Sequence, residues 1–291
     1  MREGRVLKTY NSFYYVQAEN TVITCTLRGN LKNHQCRILT GDFVAFEDLP
    51  EHTGIIEKRL ERKNLLYRPS VANVDQVILT FAPVQPDLHP LLLNRFLVLA
   101  EWSGIEHIVI CVNKADLLPA GQQADFLAAY ETVGYQVLRV SALHKQGIEQ
   151  LRSCLKDKVT VFAGPSGVGK STLLNAIDKN LMLTTGKISD KIKRGKHTTR
   201  IAQLLPFDQG FIVDTPGFSS ISFDKMEPAA LPGCFPEFRP FLNTCFYNTC
   251  THSHEPNCAV KQAVADGMIL QERYEAYLSV LKILLERKKA Y

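Results

Sequence analysis

No stretch of this 291-residue sequence approaches the roughly 18–20 consecutive apolar residues that a spanning helix needs, so neither a transmembrane segment nor a membrane partner is expected. The opening residues, MREGRVLKTYNSFYY, lack a continuous apolar core and a small-residue cleavage site. That argues against a secretory signal and predicts a cytoplasmic protein. Charge excess is small: the formal net charge is +5 and the pI about 8.7, which a solvated surface accounts for without nucleic acid. There is no internal repeat and no low-complexity tract. In a reducing cytosol the eight cysteines are expected as free thiols or metal ligands rather than disulfides.

What is present is a globular composition, 45% apolar and 22% charged, in a chain long enough for two or three domains. FYYVQA, TVITCTLRG and DFVAFE are short β-branched and aromatic runs between Gly, Asn and Asp turns. They predict about five strands and a small barrel, of which the oligonucleotide-binding (OB) barrel is one form and any other all-β module the alternative. GIIEKRLERKNLLYRP reads as a strand and linker leaving it. The pattern then changes. DQVILTFA and EHIVICVN suit strands buried on both faces, and HPLLLNRFLVLAEWSG between them reads as a helix. GQQADFLAAYETVG, YQVLRVSA, KQGIEQLRSCL, KVTVFAG and GFIVDTPG continue the alternation, which predicts an α/β domain with a parallel sheet. ADGMILQERYEAYLSVLKILLERKK is expected to close the chain as one amphipathic helix.

Gly164-Pro165-Ser166-Gly167-Val168-Gly169-Lys170-Ser171-Thr172 fits G-x-x-x-x-G-K-[ST] between an apolar strand and a helix-compatible run. Its glycines let successive N–H groups and a helix N-terminus face phosphate oxygens. Lys170 would reach the β- and γ-phosphates, and the Ser171 hydroxyl would sit on Mg²⁺. In FIVDTPG, Asp214 ends a strand; such a carboxylate holds Mg²⁺ through water, and the Gly217 N–H meets the γ-phosphate.

Asn113-Lys114-Ala115-Asp116 also follows an apolar strand. The Asp116 carboxylate can accept both N1–H and the exocyclic amine of guanine, whereas adenine offers no such donor pair and would leave the charge unpaired. Asn113 would fix the base edge and neighbouring backbone, and Lys114 would lie along the purine face. Ser141-Ala142-Leu143 follows the next strand, where the Ala142 N–H could donate to guanine O6. A conventional GTPase begins at its phosphate loop; here the guanine reader and Ser-Ala-Leu come first. Cutting such a chain and joining its old ends gives this order without moving any loop relative to the nucleotide, which a doubly wound sheet tolerates. The chain then leaves the domain just after DTPGFSS, so γ-phosphate-driven movement is expected to pass directly into the C-terminal segment.

Between the two phosphate motifs lies TGKISDKIKRGKHTTR. One of Thr198 and Thr199, with Thr199 favoured, should bind Mg²⁺ in the GTP state. The basic run Lys187, Lys191, Lys193, Arg194, Lys196 and Arg200 either meets RNA phosphate or is a solvated loop. Phe218 follows D-T-P-G, and no glutamine occurs before Gln262 to orient water. Intrinsic hydrolysis is therefore expected to be slow and completed by a partner. His197 could position the water, or be plain surface.

Cys245, Cys250, His252 and Cys258 form C-x₄-C-x-H-x₅-C, a closed tetrahedral donor set suited to one structural Zn²⁺ in a Pro-rich segment of little apolar content. His254 is the rival imidazole. Cys25, Cys36, Cys111, Cys154 and Cys234 lack such clustering and read as core or incidental.

A barrel, then NKAD, SAL, GPSGVGKST, HTTR and DTPGF in that order, then the Cys/His segment: over essentially its whole length the sequence resembles the ribosome small subunit-dependent GTPase A (RsgA) family. The resemblance implies a multidomain fold of three parts. An OB-like, RNA-binding barrel would span 1–65, a circularly permuted α/β P-loop GTPase domain 66–222, and a mostly helical zinc-binding domain 223–291. It further implies a monomeric cytoplasmic GTP hydrolase that binds the small ribosomal subunit late in its maturation. The subunit would stimulate hydrolysis to GDP and phosphate, and the barrel and zinc domain would contact its rRNA. GKHTT matches the family's switch I, which favours a catalytic role for His197 beside Lys170 and Thr199. The rival readings are a GTP-dependent RNA-binding switch with negligible hydrolysis and, against Asp116, a P-loop ATPase or small-molecule kinase.

Overall fold

The computed structural model describes residues 1–29, 37–67, 69–118, 124–178, 202–218 and 221–289. Strands β1 (Arg2–Tyr10), β2 (Phe13–Ala18), β3 (Thr21–Leu27), β4 (Phe43–Leu49) and β5 (Thr53–Arg59) form the N-terminal barrel. β1 makes closure possible: its register shifts between Val6 and Lys8, so it pairs with β2 and also with β4. β3 pairs with β5 in parallel and β5 with β4, completing the ring. Alternate side chains point inward, and Val6, Val16, Ile23, Cys25, Val44, Phe46 and Ile56 fill the interior.

Beyond a short hairpin, β6 (Leu65–Tyr67) and β7 (Ser70–Ala72), the second sheet begins. Its elements are β8 (Gln76–Phe81), α1 (Pro90–Trp102), β9 (His107–Val112), α2 (Ala124–Val133), β10 (Gln136–Arg139), α3 (Ile148–Leu155), β11 (Val159–Ala163), α4 (Lys170–Ile177), β12 (Gln203–Phe207) and β13 (Gly210–Phe218). The strand order is β10-β9-β8-β11-β13-β12, all parallel except β12. β8 and β11 are buried at every position, as expected for a sheet covered on both faces. One face packs Val77, Leu79, Ile108 and Ile110 against Leu93, Phe96 and Leu97 of α1. The other packs Ile78, Val109, Phe162 and Ile212 against α3 and α4. β12 was not anticipated; it is an edge strand that touches the barrel through a single pairing, Lys8 with Gln203.

From β8 the chain works outward to β10, returns to β11 beside β8, and proceeds the other way. The sheet therefore reverses direction between β8 and β11, where open α/β sheets bind ligands outside the strand carboxyl ends. α3 and β11 are joined only by residues 156–158, the seam where the ends of an unpermuted domain would lie.

Two expectations for the C-terminal part need correction. The single helix predicted from Ala265 starts only at Gln271, as α6 (Gln271–Lys289), and an unexpected helix, α5 (Ala259–Ala265), ends where it was expected to begin. Gly267 takes a left-handed φ of 74°, and the N–H groups of Met268 and Ile269 both return to the Ala263 carbonyl, which ends α5. Nor is this part poor in core. Phe235, Phe238, Tyr277, Val280 and Leu284 are buried in the same cluster as α1. Arg273 of α6 is nearly inaccessible; it pairs with Glu237 at 2.6 Å and donates to Asn94 of α1 at 2.6 Å. Among the described residues no helix is long and apolar enough to cross a membrane.

Candidate nucleotide-binding and metal sites

The loop after β11 requires glycine at particular points. Gly164 has φ +137°, and a Cβ there would lie 2.0 Å from the Thr80 carbonyl of β8. Gly169 has φ +90°, and its Cβ would meet Asn113 Nδ2 at 2.4 Å. α4 starts at Lys170, so Ser171 and Thr172 stand exposed in its first turn. Lys170 Nζ donates to the carbonyls of Gly164 (2.7 Å) and Pro165 (2.6 Å), folding over its own loop, and burial lowers its pKa. An incoming phosphate would supply the negative charge this ammonium lacks.

Asn113 and Lys114 extend directly from β9 into that loop. Asn113 Nδ2 donates to the Val168 carbonyl at 2.9 Å, while its Oδ1 accepts from the Ala142 N–H at 3.2 Å. Both ends of the amide thus serve neighbouring backbone. Lys114, in a left-handed conformation, donates from Nζ to Gly167 O at 3.1 Å and to Gln85 O. Ala115 and Asp116 open the short turn that follows. The Ser141 hydroxyl holds the Asp116 carboxyl below the usual carboxylate range, assisted by its own backbone N–H and by His144 at 3.8 Å and opposed by burial. The carboxylate, which only accepts hydrogen bonds, is therefore the resting form. Leu143 is 78% exposed at the tip of the same turn. Gln85 and His144 were missed from the sequence: one contributes only a carbonyl, and the other lies just beyond Ser-Ala-Leu in a loop without motif character.

Asp214 does not end its strand as expected: it is the middle residue of β13, which continues to Phe218 and runs beside β11 with a register irregularity after Val213. Burial pushes its carboxyl above the usual range, a cost that a cation would offset. A hydroxyl at Ser171 and a carboxylate at Asp214 are hard oxygen donors of the kind Mg²⁺ takes. Gly217 lies near the end of the same strand. His197, Thr198, Thr199 and the basic run from Lys187 to Arg200 lie outside the described residues, as does Cys36.

The ligand atoms of Cys245, Cys250, His252 and Cys258 all lie within 4.8 Å of one another. His252 Nδ1 is 3.5 Å from Cys245 Sγ and 3.4 Å from Cys258 Sγ, and those two sulfurs are 3.9 Å apart. Three sulfurs and one nitrogen at these separations fit one tetrahedral ion with bonds of about 2.0–2.3 Å. The N–H groups of His252, Ala259 and Lys261 point at the sulfurs, which disperses thiolate charge. His254 is turned away and contacts Ser253 Oγ. Burial opposes ionisation of Glu255, but the Thr251 hydroxyl and the Thr251 and Ser253 N–H groups bring its pKa to about 2 and shape the ligand loop. Tyr274 and Tyr277 of α6 donate to the His252 and Thr251 carbonyls at 2.8 and 2.6 Å, so the cluster is fastened to the core. Cys25, Cys111 and Cys234 are buried free thiols, and Cys154 is partly buried.

Comparison with known proteins agrees with this geometry. The RsgA GTPase family model matches residues 59–224, and the RsgA N-terminal domain model matches residues 3–56. A small ribosomal subunit biogenesis GTPase RsgA from Halalkalibacterium halodurans is 45% identical over 285 residues, covering 97% of both chains. One from Clostridium botulinum (strain 657 / Type Ba4) is 41% identical over 289 residues, 99% of both. The crystal structure of YjeQ from Thermotoga maritima superposes with a TM-score of 0.84 at 38% identity, covering 98% of each chain. YloQ, described as a circularly permuted GTPase, gives 0.81 at 37% identity, covering 99% of this chain and 96% of that one. With a GTPase site assembled from loops in permuted order and likeness along nearly its whole length, the chain belongs to the RsgA GTPase family.

Proposed function

We propose that this chain hydrolyses GTP to GDP and phosphate on the small ribosomal subunit during its late maturation, with turnover stimulated by that subunit. The observation that carries the reading is the joining of Asn113 and Lys114 to the carbonyls of Val168 and Gly167, which brings a guanine-reading segment onto a phosphate loop. The names of the relatives supply the subunit. In this reading Asp116 and the Ala142 N–H select guanine, and Ser141 and Leu143 line the base. Lys114 lies along the purine face, and the loop from Gly164 to Thr172 holds the phosphates, with Lys170 on the β- and γ-phosphates. Mg²⁺ is held by Ser171, Asp214 and one of Thr198 and Thr199, and the Gly217 N–H meets the γ-phosphate. His197 positions water. A zinc ion at Cys245, Cys250, His252 and Cys258 is structural, because four protein donors leave no open position. The chain divides into a barrel at 1–65, a GTPase domain at 66–222 and a metal-binding domain at 223–291. It acts as a cytoplasmic monomer whose barrel and metal domain meet rRNA.

The test is phosphate release from GTP with and without purified small subunits. Subunits should accelerate the wild type at least tenfold (about 1.4 kcal/mol of barrier), and Lys170→Ala should abolish that turnover. Equal rates with and without subunits would favour the rival, a GTP-dependent RNA-binding switch, for which Phe218 in place of a water-orienting glutamine speaks.

A further inference from the structure

After β13 the chain does not run freely toward the metal cluster. Phe223 and Met226 are buried in the main core, and Arg287 of α6 donates to the Phe223 carbonyl and, at 2.8 Å, to the Met226 carbonyl. Between these anchors Lys225 turns toward the barrel side, and its ammonium stands 4.8 Å from the centre of the Tyr67 ring. Tyr67 ends β6, in the hairpin through which the chain leaves the barrel. It stacks on Trp102, the last residue of α1, with centroids 4.9 Å apart and planes 22° from parallel. The loop that leads into α1 contains Gln85, whose carbonyl accepts the Lys114 ammonium. Pro86 follows it, 3.5 Å from where a Cβ of Gly167 would be. One stack of three side chains thus receives both the segment that follows D-T-P-G and the helix that starts beside the base site.

Beside the stack is a cavity of about 90 Å³, lined by Leu66, Tyr67, Trp102, Ser222, Asp224 and Lys225 among others. Packed elements move between discrete arrangements, and a void at their junction gives the second arrangement room. An exposed cation–π contact is worth a factor of about two to five, small enough for a nucleotide switch to make and break.

We propose that Lys225 and Tyr67 form a relay outside the nucleotide site: they couple the nucleotide state of the site to the hairpin that carries the barrel, so that seating the barrel on its target biases the segment after D-T-P-G. The stimulation half of this proposal rests on the function proposed above; the nucleotide half does not.

Trp102 is the sole tryptophan of the chain, so its emission reports the stack directly. The full-length protein is loaded with GDP or with a non-hydrolysable GTP analogue, and emission spectra are compared. The wild type should show different spectra in the two states. Lys225→Ala should lose the difference while keeping its circular dichroism and unstimulated GTPase rate, and Lys225→Arg, which restores a cation over the ring, should regain it. With small subunits present, Lys225→Ala should lose about two- to fivefold of the stimulated rate. Identical wild-type spectra in both states, or a Lys225→Ala variant that keeps both the spectral difference and full stimulation, would overturn the relay. Absence of stimulation in a wild type that still shows the spectral difference would remove the ribosomal reading and leave the nucleotide relay standing.

Discussion

Asn113 and Val168 are 55 positions apart in the chain and joined by a 2.9 Å hydrogen bond from the Asn113 amide to the Val168 carbonyl. The same buried amide accepts the Ala142 N–H. A single side chain therefore sets the spacing of the turn at Asn113–Asp116, the Ser-Ala-Leu turn and the glycine loop from Gly164 to Thr172. Spatial order is fixed by β9, β10 and β11 standing in one sheet, and the order in which the chain visits them does not enter. This is how a permuted polypeptide keeps an unpermuted site.

Gly169 lies under that amide. In Gly169→Ala the new methyl would start 2.4 Å from Asn113 Nδ2 on a backbone with φ +90°. Left-handed strain and overpacking together should cost about 2–4 kcal/mol. Thermal melting should show the loss, and GDP titration an affinity more than tenfold weaker. Gly134→Ala is the control: φ is +105°, but nothing lies within 4 Å of its Cβ, so only about 1 kcal/mol of backbone strain is expected and GDP affinity stays unchanged.

In the proposed function, guanine reading requires Asp116 as a carboxylate. Its pKa is depressed, first by the Ser141 hydroxyl, so the acceptor form persists as pH falls and is lost only below the ordinary carboxylate range. Removing the hydroxyl in Ser141→Ala raises that pKa. GDP affinity measured from pH 7 downward should therefore fail at a higher pH in the variant than in the wild type, with little difference at neutral pH. Coincident acid limbs would show that Ser141 does not set the charge of Asp116.

The parts of the fold that could be read in advance are those where one chemical requirement dominates. β8, β9 and β11 are buried on both faces, and their runs are almost wholly apolar. The glycine loop answers to the positive φ and close backbone approach at Gly164 and Gly169, and the Cys/His spacing to four donor atoms within 4.8 Å of one another. β12 escaped because it is a five-residue edge strand containing Pro206, and its hairpin turns through Asp208 and Gln209, both at positive φ, with its glycine, Gly210, one position beyond the two that usually carry it. The split between α5 and α6 escaped because the apolar pattern of Met268 and Ile269 continues through the break at Gly267. The Arg273–Glu237–Asn94 contacts were invisible because their partners are distant in sequence and each residue alone looks like surface.

That ion pair is testable by non-additivity. Arg273 and Glu237 have side-chain exposures of only 3% and 9%. Glu237→Leu strands a buried guanidinium and should cost about 3–5 kcal/mol, whereas the double replacement Glu237→Leu with Arg273→Met should cost much less than the sum of its two singles. Urea denaturation of the four proteins measures the coupling. A Glu237→Leu penalty below about 1 kcal/mol would place the pair in the class of surface salt bridges.

Removal of the metal should separate stability from nucleotide binding. The His252 and Thr251 carbonyls anchor Tyr274 and Tyr277, and α6 in turn packs on α1, so freeing the ligand loop loosens a core that the two regions share. Elemental analysis should find one zinc per chain. Chelation, or Cys250→Ser, should lower the melting temperature and raise hydrogen exchange along α6. None of these anchors touches Asn113, Lys114 or the phosphate loop, so GDP affinity below the new melting point should change less than about threefold, or ~0.7 kcal/mol. The two imidazoles give the sharper comparison. His252→Ala should lose the ion, because Nδ1 lies within 3.5 Å of two of the sulfurs. His254→Ala should keep it, because that ring contacts Ser253 instead. Equal zinc content in the two variants would mean that the donor set is not the one these distances describe.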